Sequence, residues 1–257
     1  MSTATELTVS HDNPIRWGEA LSALVTLAQD TSRTDAVFTI ISALTGNSFE
    51  RTYQAFVKTA HGQKLLRERP SLMSRLEDRD ALRAMPEGSL GREYLKFMEN
   101  GQLTAGGLVD AQTTGTDPNE ALDLDEDRRY VADRIRDQHD LWHVLTDYGC
   151  DDTGEIANLW FSVGQFGNPG MAFIAFMGGL DGLGYGPAWV RYCYRAFLRG
   201  KYAARLVSEP LEEMLALPID EVRRRLGIAR TCELHPEGIR FGYRRDRKLG
   251  AVPALAA

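Results

Sequence analysis

Cysteine is scarce: three residues in 257, Cys150, Cys193 and Cys232, with no C-x-x-C pair among them. So small and scattered a set excludes a disulfide framework and a thiolate zinc cluster, and it points to a reducing compartment. Long apolar runs are missing too. The most apolar stretch, 171–180, is too short to cross a bilayer and is broken by Gly178 and Gly179. Residues 1–13 are polar and hold no apolar core of the secretory kind. The expectation is an intracellular protein, cytoplasmic or peripheral on the inner face of a membrane, neither secreted nor transmembrane. Basic charge is not in excess: the formal net charge is -6, which argues against nucleic acid as a partner. Period-two alternation is nearly absent, with 238–243 the one stretch that reads as a short strand, and there is no internal repeat.

What the chain does have is helix punctuation. Hydrophobic residues make up 43% and charged residues 26%, the balance of a globular protein with one large core. Asn13-Pro14 reads as the start of a helix over 15–28. Ser32 and Ser48 read as caps of the next two helices, with Gly46 and Gly62 as stops. Pro70 opens 71–85 and Ser89 opens 90–98, after which 101–119 is a Gly/Thr/Asp-rich linker. A long helix follows over 126–146, ended by Gly149, and Thr153 caps another over 154–163. The glycine-rich but apolar stretch 164–186 predicts short, closely packed helical pieces, before helices at 187–207, 210–216 and 219–226. The fold expected is all-α and single-domain: an N-terminal extension over 1–12, a helical domain over 13–228 and a tail over 229–257. The tail carries a basic patch (Arg240, Arg244, Arg245, Arg247, Lys248) that reads as a surface feature.

The chemistry concentrates in His139-Asp140-Leu141-Trp142-His143. Four residues turn an α-helix through about 400°, so both imidazoles project from one face, one turn apart. That spacing suits two rings meeting one metal ion. Asp140 lies about 60° around the helix from His143, where its carboxylate either reaches the metal or orients a ligand ring. Glu155 follows after a turn containing Gly149 and Gly154, which lets two adjacent helices run antiparallel and returns the carboxylate to the histidine face. Val131, Ile135 and Trp142 share that face, so it points inward, and buried imidazoles and carboxylates need partners. The site expected is one divalent metal at His139, Asp140, His143 and Glu155. Zinc is the first candidate; iron, manganese and cobalt accept the same ligands. An H-E-x-x-H protease motif fits less well, since Asp140 stands where the glutamate base belongs. A phosphohydrolase with an H-D pair needs a further upstream histidine and a downstream aspartate, and His61 is a candidate for the histidine.

These residues resemble the coenzyme Q (ubiquinone) biosynthesis protein four family. The likeness runs through Tyr130-Val131, Arg134, Arg136, H-D-x-x-H and its distant glutamate, then Trp160-Phe161, Gln165, Gly167 and Pro169. It continues in Gly200-Lys201-Tyr202-Ala203 and from Leu211-Glu212-Glu213 to Leu226-Gly227-Ile228. Upstream it includes Arg69-Pro70, Pro86, Gly88-Ser89-Leu90-Gly91, Tyr94 and Phe97. The stretch 167–170, the glycines of 178–186 and the tail depart from the family pattern. The resemblance implies an all-helical fold and a role in ubiquinone biosynthesis. It implies either metal-dependent oxidative decarboxylation of a polyprenyl-hydroxybenzoate, by a lyase-type decarboxylase, or a non-catalytic prenyl-lipid-binding scaffold with a structural metal. Its partners would be a polyprenylated aromatic or isoprenoid lipid, other ubiquinone biosynthesis proteins and a membrane surface, with a homodimer left open. On that reading Arg134 and Arg136 clamp a carboxylate or pyrophosphate, with a surface ion pair of Arg134 to Asp133 or Asp137 as the alternative. Phe161, Phe166, Phe173 and Met177 line an apolar pocket, with Ile174, Phe176 and Trp189 nearby, or serve as ordinary core.

Overall fold

The computed structural model describes residues 13–30, 33–101, 103–106 and 124–230. Ser32, most of the 101–119 linker, the 238–243 stretch and the basic tail lie outside the described residues. The described chain is helical, with no strand in it and one isolated bridge between Ser89 and Pro218. In order it forms α1 (Trp17–Gln29), α2 (Thr34–Leu44), α3 (Ser48–Val57), α4 (Ala60–Glu68), α5 (Leu72–Glu77), α6 (Arg79–Ala84) and α7 (Leu90–Asn100). After the linker come α8 (Glu126–Asp137), α9 (His139–Thr146), α10 (Asp152–Phe166) and α11 (Pro169–Asp181). A 3₁₀ turn (Gly182–Tyr185) leads to α12 (Pro187–Tyr202), and a second (Leu206–Ser208) to α13 (Leu211–Met214) and α14 (Ile219–Leu226).

Side-chain caps decide several boundaries differently from the sequence reading. Helix α1 starts at Trp17, because the Asn13 side chain is spent accepting from Arg16 at 2.9 Å. Gly62 is no stop: it lies inside α4, its N–H held by Thr59 Oγ1 at 2.9 Å. Stretch 71–85 splits into α5 and α6 because Asp78 caps a fresh start at Arg79, accepting from the Ala81 N–H. Asp151, not Thr153, caps α10, accepting from the N–H groups of Thr153 and Gly154. The glycine-rich stretch 164–186 forms short helical pieces, as expected: the end of α10 at Phe166, then α11 with Asn168 as its cap and Pro169 at its first turn, then the 3₁₀ turn Gly182–Tyr185.

The main core gathers α3–α10 and α12–α14 around Phe56, Tyr94, Trp142, Phe161 and Trp189. A smaller cluster joins α1 and α2 to Ile174 of α11, and Leu159 of α10 packs against it, so both belong to one domain. The tightest seam is α10 against α12. A Cβ on Gly200 would lie 2.0 Å from the Phe161 carbonyl oxygen, and one on Gly164 would lie 2.3 Å from that of Phe197. Only glycines permit this approach. Gln165 closes the seam, donating to the Gly200 and Ala204 carbonyls and accepting from the Leu206 N–H.

Candidate metal centre

Helix α9 presents His139 and His143, and the turn through Asp147–Asp151 brings back Glu155 in the first turn of α10. His139 Nε2 lies 3.8 Å and His143 Nε2 3.4 Å from Glu155 Oε2. One ligand atom from each residue lies within 4.8 Å of the other two. The second nitrogen of each ring fixes which tautomer faces inward. His143 Nδ1 sits 3.2 Å from the Tyr148 carbonyl oxygen, which only accepts, so Nδ1 carries the hydrogen. His139 Nδ1 sits 3.1 Å from Asp140 Oδ1, which favours the same arrangement. In the neutral rings both Nε2 atoms then turn lone pairs toward a carboxylate, three acceptors with no donor among them.

Electrostatics point the same way. Burial works against a charged His139, but the hydrogen bond to Asp140 and the charges of Asp140 and Glu155 outweigh it and raise its pKa. Burial also favours a neutral Glu155, yet the interaction with His143 and the charge of His139 hold its pKa below the ordinary value. The pocket is built for positive charge. His143 Nε2 is buried and has no hydrogen-bond partner, an orphaned acceptor that a metal ion would satisfy. Two imidazoles and a carboxylate fit a divalent metal, and geometry rather than donor type selects among zinc, iron, manganese and cobalt. The fourth expected ligand, Asp140, meets His139 from behind, at the nitrogen opposite the three converging atoms.

The surroundings hold the histidines still. Phe97 of α7 stacks on His143 with centroids 5.6 Å apart. Arg223 of α14, buried, donates to the carbonyls of Val144 and Leu145 and pairs with Asp147 at 2.6 Å. It thereby caps the last turn of the histidine helix from a distant element. Asp147 ends that helix in the left-handed region, at φ 59°, where the sequence reading placed the stop at Gly149. Nothing local in the sequence signals Arg223. Its one cue is a basic residue in an otherwise apolar stripe of α14, with Val222 and Leu226.

The other expected site residues are placed elsewhere. Arg134 is buried and fully engaged, by Glu212 and by the carbonyls of Val207 and Glu209. Asp133 and Asp137, the surface partners expected for Arg134, pair instead with the half-buried Arg136. Phe161 and Phe166 flank Trp142 in the core, at centroid distances of 6.3 and 5.4 Å. Phe173 and Met177 are half-buried on α11, where Phe173 meets Trp17 edge-on. His61 is exposed beside Glu209, 3.4 Å away, and is no member of the metal-ligand cluster.

The sequence profile of the coenzyme Q (ubiquinone) biosynthesis protein Coq4 family matches residues 12–231. The chain belongs to the Coq4 family. Among the relatives it resembles, the mitochondrial COQ4 homolog of Homo sapiens is 36% identical over 117 residues, 46% of this chain and 41% of that protein. The Rattus norvegicus homolog is 29% identical over 182 residues, 67% of this chain and 62% of the relative. Mitochondrial COQ4 of Meyerozyma guilliermondii is 31% identical over 198 residues, 73% of this chain and 56% of the relative. The chain thus spans roughly two to three fifths of the length of these curated Coq4 proteins. A crystal structure from Nostoc punctiforme, described provisionally as a ubiquinone biosynthesis protein, covers 83% of this chain and 99% of its own at a TM-score of 0.60. At 22% identity it shows that the Coq4 chain shares its fold.

Proposed function

We propose that this chain acts in ubiquinone biosynthesis as a metal-dependent enzyme that replaces the ring carboxylate of a polyprenyl-hydroxybenzoate by hydroxyl, with dioxygen and water as co-reactants and carbon dioxide and hydrogen peroxide leaving. Family membership and the relatives' names support the pathway. The observation that carries the chemistry is the convergence of His139 Nε2, His143 Nε2 and Glu155 Oε2 on one point. A bound divalent ion, zinc or a redox-active alternative, would supply Lewis-acid polarisation of a carboxylate or phenolate oxygen.

The chain's own residues do the rest. Asp140 orients the His139 ring, the Tyr148 carbonyl fixes the His143 tautomer, and Phe97 keeps water from that ring's face. The His139 and Glu155 side chains are 31% and 42% exposed, so the centre opens on solvent. Open coordination supports a catalytic over a structural ion. Arg134 and Arg136 are held in internal pairs, so a substrate carboxylate would be anchored by an ion held on His139, His143 and Glu155. Phe173 and Met177 stay the candidates to meet an isoprenoid tail, and Phe161 and Phe166 act through the core that backs α9.

The rival reading, a prenyl-lipid-binding scaffold for other ubiquinone biosynthesis proteins, draws its support from apolar side chains exposed on α1, α11 and α12. Purified, metal-assayed protein incubated with a prenylated hydroxybenzoate under oxygen separates the two. Mass spectrometry should find a product that has lost carbon dioxide and gained oxygen, and His143→Ala should lose metal and product together. Full turnover by a metal-free His143→Ala protein would sink this mechanism.

A further inference from the structure

Protein interiors pair their polar groups, so a buried amide with nothing to bond calls for a reason other than folding. Asn158 of α10 is such a group. It is 1% exposed, and neither its Nδ2 nor its Oδ1 has a hydrogen-bond partner among the described residues. A leucine would fill a similar space without leaving a donor and an acceptor dry. Gln138, buried where α8 meets α9, is only half used. Its Oε1 accepts from Trp142 Nε1 at 3.3 Å, while its Nε2 has no partner. Helix geometry puts Asn158 beside the metal centre. It follows Glu155 by three residues, about 4.5 Å further along α10 and about 60° around it. On one side of it Glu155 meets the histidines of α9; on the other, Phe161 and Phe166 meet Trp142 of the same helix. Asn158 thus stands on the face of α10 that looks onto α9, between the ligand set and Trp142. Gln138 immediately precedes His139 and bonds that same indole.

The two amides offer neutral chemistry: Gln138 a free donor, Asn158 free donors and a free acceptor. A carboxylate would use the donors and leave the acceptor unpaired, and an alkyl chain would use neither. A hydroxyl uses both, because it accepts one hydrogen bond and donates another. On the reading proposed above, on which this inference rests, the substrate ring carries a phenolic hydroxyl as well as the carboxylate that the ion would anchor. The step from Glu155 to Asn158 is comparable with the span of a benzene ring. We infer that Asn158, assisted by Gln138, is the specificity-determining group of the centre. Its Oδ1 accepts the hydrogen of the ring hydroxyl and an amide N–H donates to that oxygen, so hydroxylated aromatic acids are preferred over bare ones. A site built to bond a hydroxyl rejects the analogue that lacks it, because the buried amide is then left unpaired.

The zinc-loaded full chain, kept free of oxygen, is titrated with 3-prenyl-4-hydroxybenzoate and with 3-prenylbenzoate, which lacks only the hydroxyl. Affinities are read by ligand-detected NMR. The hydroxylated acid should bind at least about tenfold tighter. Asn158→Leu, close in shape and unable to hydrogen-bond, should bring the two acids to equal affinity while zinc content stays at the wild-type level. Its thermal midpoint should not fall, since the substitution removes unpaired polar atoms from the interior. Gln138→Met should narrow the preference without abolishing it, a second reading that does not depend on the α10 substitution. Equal binding of the two acids by the wild-type chain, binding of neither, or a preference that survives both substitutions would each overturn the inference. A lowered midpoint with the preference intact would assign Asn158 to an internal water and overturn it as well. Binding is read without oxygen or turnover, so the decarboxylase assay can fail while the hydroxyl preference stands, and the reverse.

Discussion

At the scale of single residues, two histidines four apart announced themselves, and the structure brings Glu155 to both. Asp140 could be read two ways from helix geometry, and its contact with His139 Nδ1 favours the orienting role. Asp140→Asn keeps a side chain of the same shape but loses the charge that makes the His139 ring a better donor. Metal affinity should fall about 10- to 100-fold without vanishing, as measured by competition with a chromophoric chelator. Abolition as complete as that of His143→Ala would make Asp140 a direct ligand instead. Arg134 was illegible for a different reason. Its guanidinium is claimed by Glu212, Glu209 and Val207, some 75 residues away in sequence, and helix spacing says nothing about such partners.

At the scale of elements, period and caps located nearly every helix but not the joints. Stretch 126–146 reads as one helix because Gln138 is a good helix former. The structure interrupts it there, with Gln138 buried and its carbonyl still accepting from Trp142. The end of α9 depends on α14 rather than on a local glycine. Arg223→Met would leave the Val144 and Leu145 carbonyls and Asp147 without their buried partner. Charged hydrogen bonds of this kind contribute about 1.5–3 kcal/mol each, so unfolding free energy should drop by about 2–4 kcal/mol. Thermal or urea unfolding measures it. An unchanged midpoint would mean that the last turn of the histidine helix stands without its distant cap.

At the scale of the whole molecule, the all-helical class was legible because helix signals recur and period-two alternation does not. The packing was legible in part: the glycines of 164–186 announced close approach but not its partner, as where Gly170 meets Ile41 of α2. The order of the site was written in one local stretch, while the supports that hold it, Phe97 and Arg223, arrive from α7 and α14. On the proposed reading, the fold presents one metal ion on two imidazoles and a carboxylate. Metal analysis of the folded chain together with X-ray absorption tests it most directly. One divalent ion per chain is expected, bound by nitrogen and oxygen donors including two imidazoles, and lost from a still-folded Glu155→Ala variant. A folded chain that takes up no zinc, iron, manganese or cobalt, or that keeps its ion after His139 and His143 are both replaced, would contradict it.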